Sequence, residues 1–411
     1  MQISNIIFKN IKSFKEVNLD LNDFNVIIGS CASGKSNFIE VFKFLKDLSE
    51  DFEKAINNYS RVYLKNINSQ NDENCYLKIT FTTNNAEDHL IPIFKNNEEI
   101  FLYFNQLEYE LSFNFKSNFE YEILKENVDF SYEYTYDNEI YKNKLSIKNT
   151  GKINVELDKT DEFIKSEDLI PLSLLNIVKH NFQKSKSLII NSSLSTIPFT
   201  WKDLFKNIAY YDFNPKFSKF GNHRNGDSNL LEYGDNLPII LEKILDNTDD
   251  KRLFLNLVNH LLPYIEEINV DTLIDGRTIF TLNEEYNEIN VPSPLISDGT
   301  VNIIALIVAL FFEKETILLI EEPERNIHPE LLANLIQLMN EISRKKQLII
   351  TTHNPELLKH VKLENIYFIS RNKSGFSNIT KPIDNEIVKP FIEELGIDEV
   401  FIDNYLGLGN E

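Results

Sequence analysis

The chain has 411 residues, 42% of them hydrophobic, with 63 acidic against 42 basic side chains and a net charge of −21. This is a globular composition, long enough for two or three domains or one large domain with insertions. It excludes an overall field that draws in the phosphate backbone of nucleic acid, so any DNA contact must be local or depend on a partner.

Taken in chain order, the first element is a strand pattern, Ile3 to Phe8, entered without a basic-plus-apolar leader. Phe24-Asn25-Val26-Ile27-Ile28 is a short apolar, β-branched run that predicts a second buried strand. It leads into Gly29-Ser30-Cys31-Ala32-Ser33-Gly34-Lys35-Ser36, which reads G-x-x-x-x-G-K-S. From Asn37 to Leu48, apolar residues recur at helical spacing at Phe38, Ile39, Phe42, Leu45 and Leu48. Strand, glycine turn and helix together predict a phosphate-binding loop running from Gly29 to Asn37. Backbone N–H groups and the helix dipole hold phosphate oxygens, Lys35 reaches the terminal phosphates, and the Ser36 hydroxyl sits on Mg²⁺. The alternative, a glycine turn beside an exposed lysine, does not account for these flanks. Cys31 lies where its thiol could approach nucleotide but reads rather as a small buried filler of the loop; with Cys75 it gives no disulfide framework and suits a reducing compartment.

From Tyr76 to Leu157 the pattern becomes aromatic and alternating, as in Leu107-Glu108-Tyr109-Glu110-Leu111-Ser112-Phe113, and predicts an antiparallel meander. Between Asp161 and Leu204 the period lengthens to helical, and Phe220 to Asp235 reads as a loop. Helices are expected over Asn236 to Leu245 and Lys251 to Tyr264, then strands near Ile268 to Leu273 and Thr278 to Leu282. Pro294 to Thr300 leads into the apolar helix Val301 to Phe312, the longest apolar stretch and too short to span a bilayer. Ser297 or Asp298 makes a good N-cap for it, and Gly299 lets N–H groups approach an anion; local chemistry alone favours a capped core helix.

The last third runs strand, helix, strand over Thr316 to Ile320, Pro329 to Ile342 and Gln347 to Thr352, which predicts a parallel sheet. Its first strand ends in Glu321-Glu322-Pro323-Glu324. At the carboxyl edge of such a sheet, Glu321 can hold the hydration shell of Mg²⁺, and Glu322 can take a proton from the attacking water. Solvated acids at a strand end are the plain alternative. The next strand delivers His353, an imidazole able to contact a γ-phosphate or orient that water. Phosphate loop, acidic strand end and histidine strand end then share one sheet edge, where α/β folds bind ligands.

These residues resemble ABC-type ATPase heads of the SMC and RecF-like class, in particular stand-alone prokaryotic ATPases without a long coiled coil. Phe8-Lys9-Asn10-Ile11-Lys12-Ser13-Phe14 is similar to the family's opening, Ser33-Gly34-Lys35-Ser36-Asn37 to its S-G-K-S-N, and Ser297-Asp298-Gly299-Thr300 to its signature. Glu321-Glu322-Pro323-Glu324 resembles Walker B with the D-loop entry, and Thr351-Thr352-His353-Asn354 the switch histidine. Leu395 to Phe401 before Leu406-Gly407 is similar to the closing segment. The family usually has Asp where Glu321 stands, Pro-Asn-Gly where Ser30-Cys31-Ala32 stands, and Gly where Asn326 stands; Gln106 and Gln183 are the regional candidates for its Q-loop glutamine.

The resemblance implies an α/β ABC-type P-loop head with a mainly parallel core sheet, an antiparallel β lobe and a helical insertion. The implied layout is 1–75 for the P-loop half, 76–157 for the lobe, 158–235 for a mainly helical insertion, and 236–411 for the second half. It implies ATP and Mg²⁺ as cofactors and a homodimer that sandwiches ATP. In that dimer Ser297, Asp298 and Gly299 contact the γ-phosphate in trans. Family members of this kind resemble the ATPase halves of anti-phage systems, which makes a cytoplasmic, ATP-hydrolysing dimeric switch with a separate effector the leading expectation. A second is a repair ATPase clamping DNA through Lys179, His180, Lys184 and Lys186, with Lys202, Lys206, Lys216, Lys219, His223 and Arg224 around Tyr210, Tyr211 and Phe213. A third is a nucleotide sensor without turnover, against which Glu322 argues.

Overall fold

In the computed structural model the described residues are 1–50, 55, 58–69, 73–83, 90–95, 98–118, 120–149, 153–157, 201–220 and 229–402. Of the expected insertion over 158–235, residues 158–200, with Lys179, His180, Gln183, Lys184 and Lys186, and 221–228, with His223 and Arg224, lie outside them, as does the Leu406-Gly407 tail.

The chain opens with β1 (Gln2–Ile11), β2 (Phe14–Asp20) and β3 (Phe24–Ile28), then the helix Lys35–Glu50. The alternating region forms β4 (Cys75–Thr82), β5 (Leu90–Lys95), β6 (Glu98–Phe115), β7 (Tyr121–Tyr136), β8 (Glu139–Asn149) and β9 (Ile153–Leu157). Each of these pairs antiparallel with its sheet neighbours, as a period of two with turn clusters requires. Next come the helix Trp201–Lys206, β10 (Ile208–Tyr211) and the short helix Pro215–Lys219. Helices Leu237–Asp246 and Thr248–Leu261 lead to β11 (Ile265–Thr272), β12 (Thr278–Glu284) and β13 (Asn287–Pro292), a separate antiparallel sheet. The helix Asp298–Phe311, β14 (Ile317–Glu321), the helix Pro329–Ser343, β15 (Gln347–Thr352), β16 (Ile366–Arg371) and β17 (Ser377–Thr380) follow.

Among the described residues, fourteen strands join in one sheet, ordered β10-β14-β15-β3-β16-β17-β2-β1-β4-β6-β7-β8-β9 with β5 on β6. β10, β14, β15, β3 and β16 are mutually parallel. β3 lies between β15 and β16, with Phe24 opposite Leu348 and Val26 opposite Ile366. All five β3 residues are buried, which explains an uninterrupted apolar run where a one-sided strand would alternate. Ile27 joins the core under the helix Lys35–Glu50 and the β lobe, whereas Phe24, Val26 and Ile28 face the core of helices Leu237–Asp246, Asp298–Phe311 and Pro329–Ser343. The helix Asp298–Phe311 is buried on almost every side from Thr300 to Leu310, so its apolar residues form a full wall between layers. Full burial of each large aliphatic side chain there stabilises the fold by about 1.5–3 kcal/mol.

This is the expected fold class: an α/β head with a mainly parallel core sheet and an antiparallel β lobe. Two local differences stand out. The segment 201–235, expected to be mainly helical or loop, contains β10, an edge strand of the core sheet. Four residues are too few to show a period, yet Ile208, Ala209 and Tyr211 are buried against β14 and its neighbours. The third strand of the small sheet, β13, was not expected, because Asn-Glu-Ile-Asn-Val-Pro carries little apolar pattern and ends in proline.

Candidate functional site

The phosphate loop connects β3 to the helix Lys35–Glu50 at the carboxyl edge of the parallel strands. Two glycines make its path feasible. A Cβ on Gly29 would lie 2.4 Å from the Ile369 carbonyl oxygen, and Gly34 adopts φ +115° with its Cβ position 2.3 Å from Ser377 Oγ. Ser377 Oγ sits 2.6 Å from the Ser33 carbonyl oxygen and 2.8 Å from Ser13 Oγ. The Lys-Ser-Phe opening and the far C-terminal β17 thus brace the same loop. Ala32 takes a left-handed φ of 62°, and Cys31 is exposed on the loop, so it is not the buried filler expected from the sequence.

Lys35 Nζ donates to the carbonyl oxygens of Gly29 at 2.7 Å and Ser30 at 2.9 Å. Burial lowers the pKa of its ammonium, against the raising pull of Glu322, Cys31 and Glu321. Ser36 Oγ donates to Glu321 Oε2 at 2.9 Å, so the loop and β14 meet through a hydroxyl and a carboxylate. The other oxygen, Glu321 Oε1, accepts from the Tyr210 hydroxyl at 2.6 Å. Burial first, then the Glu321 carboxylate, raises the Tyr210 phenol above its usual range.

Glu322 follows the strand with φ 45°, a left-handed conformation that costs an ordinary residue roughly 1–2 kcal/mol. Its N–H donates to the Thr351 carbonyl at 2.8 Å, and its side chain meets His353, whose Nδ1 lies 2.7 Å from Oε1. Arg325 Nη2 and Nε donate to Oε2 at 3.2 and 3.3 Å, while Arg325 Nη1 donates to Asp212 Oδ1 at 2.9 Å. Burial alone would raise the Glu322 carboxyl, but hydrogen bonds and charge from His353 and Arg325 outweigh it and hold the group below the usual carboxylate range. Backbone strain beside a carboxylate with both oxygens directed is a pattern found at functional sites.

Glu324, two residues on, is buried and accepts from the Thr352 hydroxyl; burial raises its pKa. Its Oε2, Ser33 Oγ and Thr351 Oγ1 are buried without a hydrogen-bond partner among the described residues. The glycine-built loop with Lys35 suits a phosphate group, and the Ser36 hydroxyl and Glu321 carboxylate 2.9 Å apart suit a hard, oxygen-seeking divalent cation.

The structure brings Ser36 to Glu321 and Glu322 to His353, with Lys35 within electrostatic reach of both carboxylates. Ser297, Asp298 and Gly299 make other contacts. Ser297 Oγ caps the helix Asp298–Phe311, accepting from the Thr300 N–H at 3.2 Å, and Asp298 is paired with the Lys219 ammonium. A Cβ on Gly299 would lie 2.3 Å from the Asn326 carbonyl oxygen. Asn326 itself has φ 63°, which explains why glycine is common there and why asparagine, tolerant of left-handed backbone, can replace it. Lys219, one of the cations considered for DNA, is thus engaged in an ion pair.

Sequence reasoning missed Tyr210, Asp212, Arg325 and Ser377 as site residues. Arg325 directly follows the quoted acidic motif and could have been examined there; Tyr210 was read only as an aromatic of the possible DNA surface, and Asp212 carries no local signal.

The AAA family described as "AAA domain, putative AbiEii toxin, Type IV TA system" matches residues 24–359. Endonuclease GajA of Bacillus cereus is 23% identical over 382 residues, covering 87% of this chain and 56% of that protein. Uncharacterized protein MJECL43 of Methanocaldococcus jannaschii is 24% identical over 95 residues, 22% of this chain and 25% of that one. The chain therefore spans about half or less of the length of these curated relatives. Among solved structures, the SmcHead bound to the C-winged helix domain of ScpA is 15% identical with a TM-score of 0.49, covering 92% of this chain and 97% of that one.

Proposed function

Because the chain belongs to the AAA domain family of putative AbiEii toxins of type IV TA systems, we propose that it binds ATP with Mg²⁺, dimerises around it and hydrolyses it as a regulatory switch. The observation that carries this reading is the double contact at one sheet edge: Ser36 with Glu321, and Glu322 with His353. Ser36 and Glu321 would hold Mg²⁺, which when bound supplies charge neutralisation for the phosphates. Lys35 and the N–H groups opening the helix Lys35–Glu50 would hold phosphate oxygens. Glu322 accepts the proton of the attacking water, and His353 and Arg325 fix the direction of its two oxygens. The resemblance to the family's signature supports a role for Ser297, Asp298 and Gly299 on the partner subunit's nucleotide; within one subunit Ser297 caps its helix and Asp298 pairs with Lys219.

We further infer a cytoplasmic role in anti-phage defence with a separate effector; the family's type IV TA description supports a two-component system, and one relative is named an endonuclease. Mass measurement and ATPase assay of wild type, Lys35→Ala and Glu322→Gln test the engine. Wild type turns over, Lys35→Ala loses ATP binding, and Glu322→Gln forms an ATP-dependent dimer without turnover. An unchanged hydrolysis rate in either variant overturns the assignment.

A further inference from the structure

Glu321 is gripped at both oxygens, by Ser36 Oγ at 2.9 Å and by the Tyr210 hydroxyl at 2.6 Å. Tyr210 is fixed in turn. Its ring carries the Lys43 ammonium 3.5 Å from the centroid, and Lys43 is anchored by Glu232 at 2.9 Å and Glu40 at 3.5 Å. The next residue, Tyr211, does different work: it is buried and stacks on Phe213 with ring centroids 5.2 Å apart. One tyrosine of β10 therefore packs, and the other ends on a carboxylate at the sheet edge.

A glutamate at this strand end has one more rotatable bond than an aspartate, and fixing it costs conformational entropy unless a partner has already done so. We propose that Tyr210 is a positioning residue for metal–nucleotide binding, its hydroxyl holding Glu321 Oε1 so that Oε2 faces the Ser36 hydroxyl. This rests on the ATP and Mg²⁺ reading above. The Lys43 contact, charge against a ring face, holds the phenol in that orientation. Groups that orient a metal ligand by a hydrogen bond set metal affinity without touching the metal.

The test is a Mg²⁺ titration of the binding of a fluorescent ATP analogue, without reference to turnover. The proteins are wild type, Tyr210→Phe, Glu321→Ala and the Tyr210→Phe/Glu321→Ala double variant. Tyr210→Phe keeps the ring and its Lys43 contact, and circular dichroism checks that its melting is unchanged. The half-saturating Mg²⁺ concentration rises about tenfold in Tyr210→Phe, the low end for such orienting groups. Affinity for the analogue in EDTA is unaltered, and Tyr210→Phe adds nothing on the Glu321→Ala background. Equal Mg²⁺ dependence in wild type and Tyr210→Phe overturns the role of Tyr210 and leaves the nucleotide reading standing. A shift that persists in the double variant reassigns Tyr210 to packing. A wild-type chain that binds no analogue with or without Mg²⁺ overturns the nucleotide reading, and the role of Tyr210 with it.

Discussion

His353 Nδ1 lies 2.7 Å from Glu322 Oε1, and Arg325 meets the opposite oxygen of the same carboxylate, so two cationic or donor side chains from different segments fix its plane. The arrangement separates orientation of the carboxylate from binding of phosphate. His353→Gln is accordingly expected to lower the ATP turnover number by about a hundredfold, the scale of positioned proton-transfer groups, with ATP affinity changed little. Equilibrium binding measured beside steady-state turnover decides it; equal losses in both would assign His353 to binding.

Glu322 also makes stability depend on pH. Its folded-state pKa is depressed by His353 and Arg325, so the stabilisation is present above the unfolded carboxyl pKa of 4.5 and is lost as pH falls through the lower folded value. Arg325 and His353 are 37% and 54% exposed, which limits the contribution to about 1 kcal/mol or less. Glu322→Gln should therefore unfold at lower urea than wild type at pH 7, with the gap closing below pH 4.5 as the wild-type carboxyl protonates.

Glu324 has the opposite sign. Burial raises its folded-state pKa, so its favourable contribution is present below the unfolded value of 4.5 and is lost as pH rises through the folded one. At neutral pH the carboxylate, with Oε2 unpartnered, is a net cost. Glu324→Gln keeps an acceptor for Thr352 and removes the charge. It should raise stability at pH 7.5 by on the order of 1 kcal/mol and leave it unchanged at pH 4, read from urea midpoints at both.

Gly299→Ala places a methyl group 2.3 Å from a backbone oxygen, and backbone cannot step aside as a flexible side chain can. A loss of about 1–3 kcal/mol is expected from this overpacking. Because the start of the helix Asp298–Phe311 must move, ATP-dependent dimerisation should fail while binding of nucleotide to the monomer persists. Dimerisation at wild-type levels would show that the signature tolerates displacement.

Much of the site was legible because its information is local. Phe24–Ile28, Gly29–Ser36 and the helical apolar spacing after them lie within one short stretch, and each limits the others. Gln347–Thr352 likewise reads as a buried strand that can only end at His353. What escaped was pairing across the chain: Tyr210 reaches Glu321 over 111 positions and Arg325 reaches Asp212 over 113. β10 brings both partners to the edge, yet four residues carry no readable period, and no spacing rule links them to the acidic motif. A signature role for Ser297, Asp298 and Gly299 rests on resemblance alone, since Ser297 as a helix cap is what its chemistry supports.

The place of β3 between β15 and β16 has a bearing on biosynthesis. Asn25 Nδ2 hydrogen-bonds the Leu348 carbonyl across 323 positions, so both neighbours of the phosphate-loop strand are translated on the order of tens of seconds after it. Throughout that interval an apolar strand has two unpaired edges, a template for aggregation that a chaperone would have to cover. The loop itself stays unbraced until Ile369 and Ser377 arrive. The hydrogen bond from Ser377 to the Ser33 carbonyl therefore ties completion of the loop to a residue translated near the end of the chain.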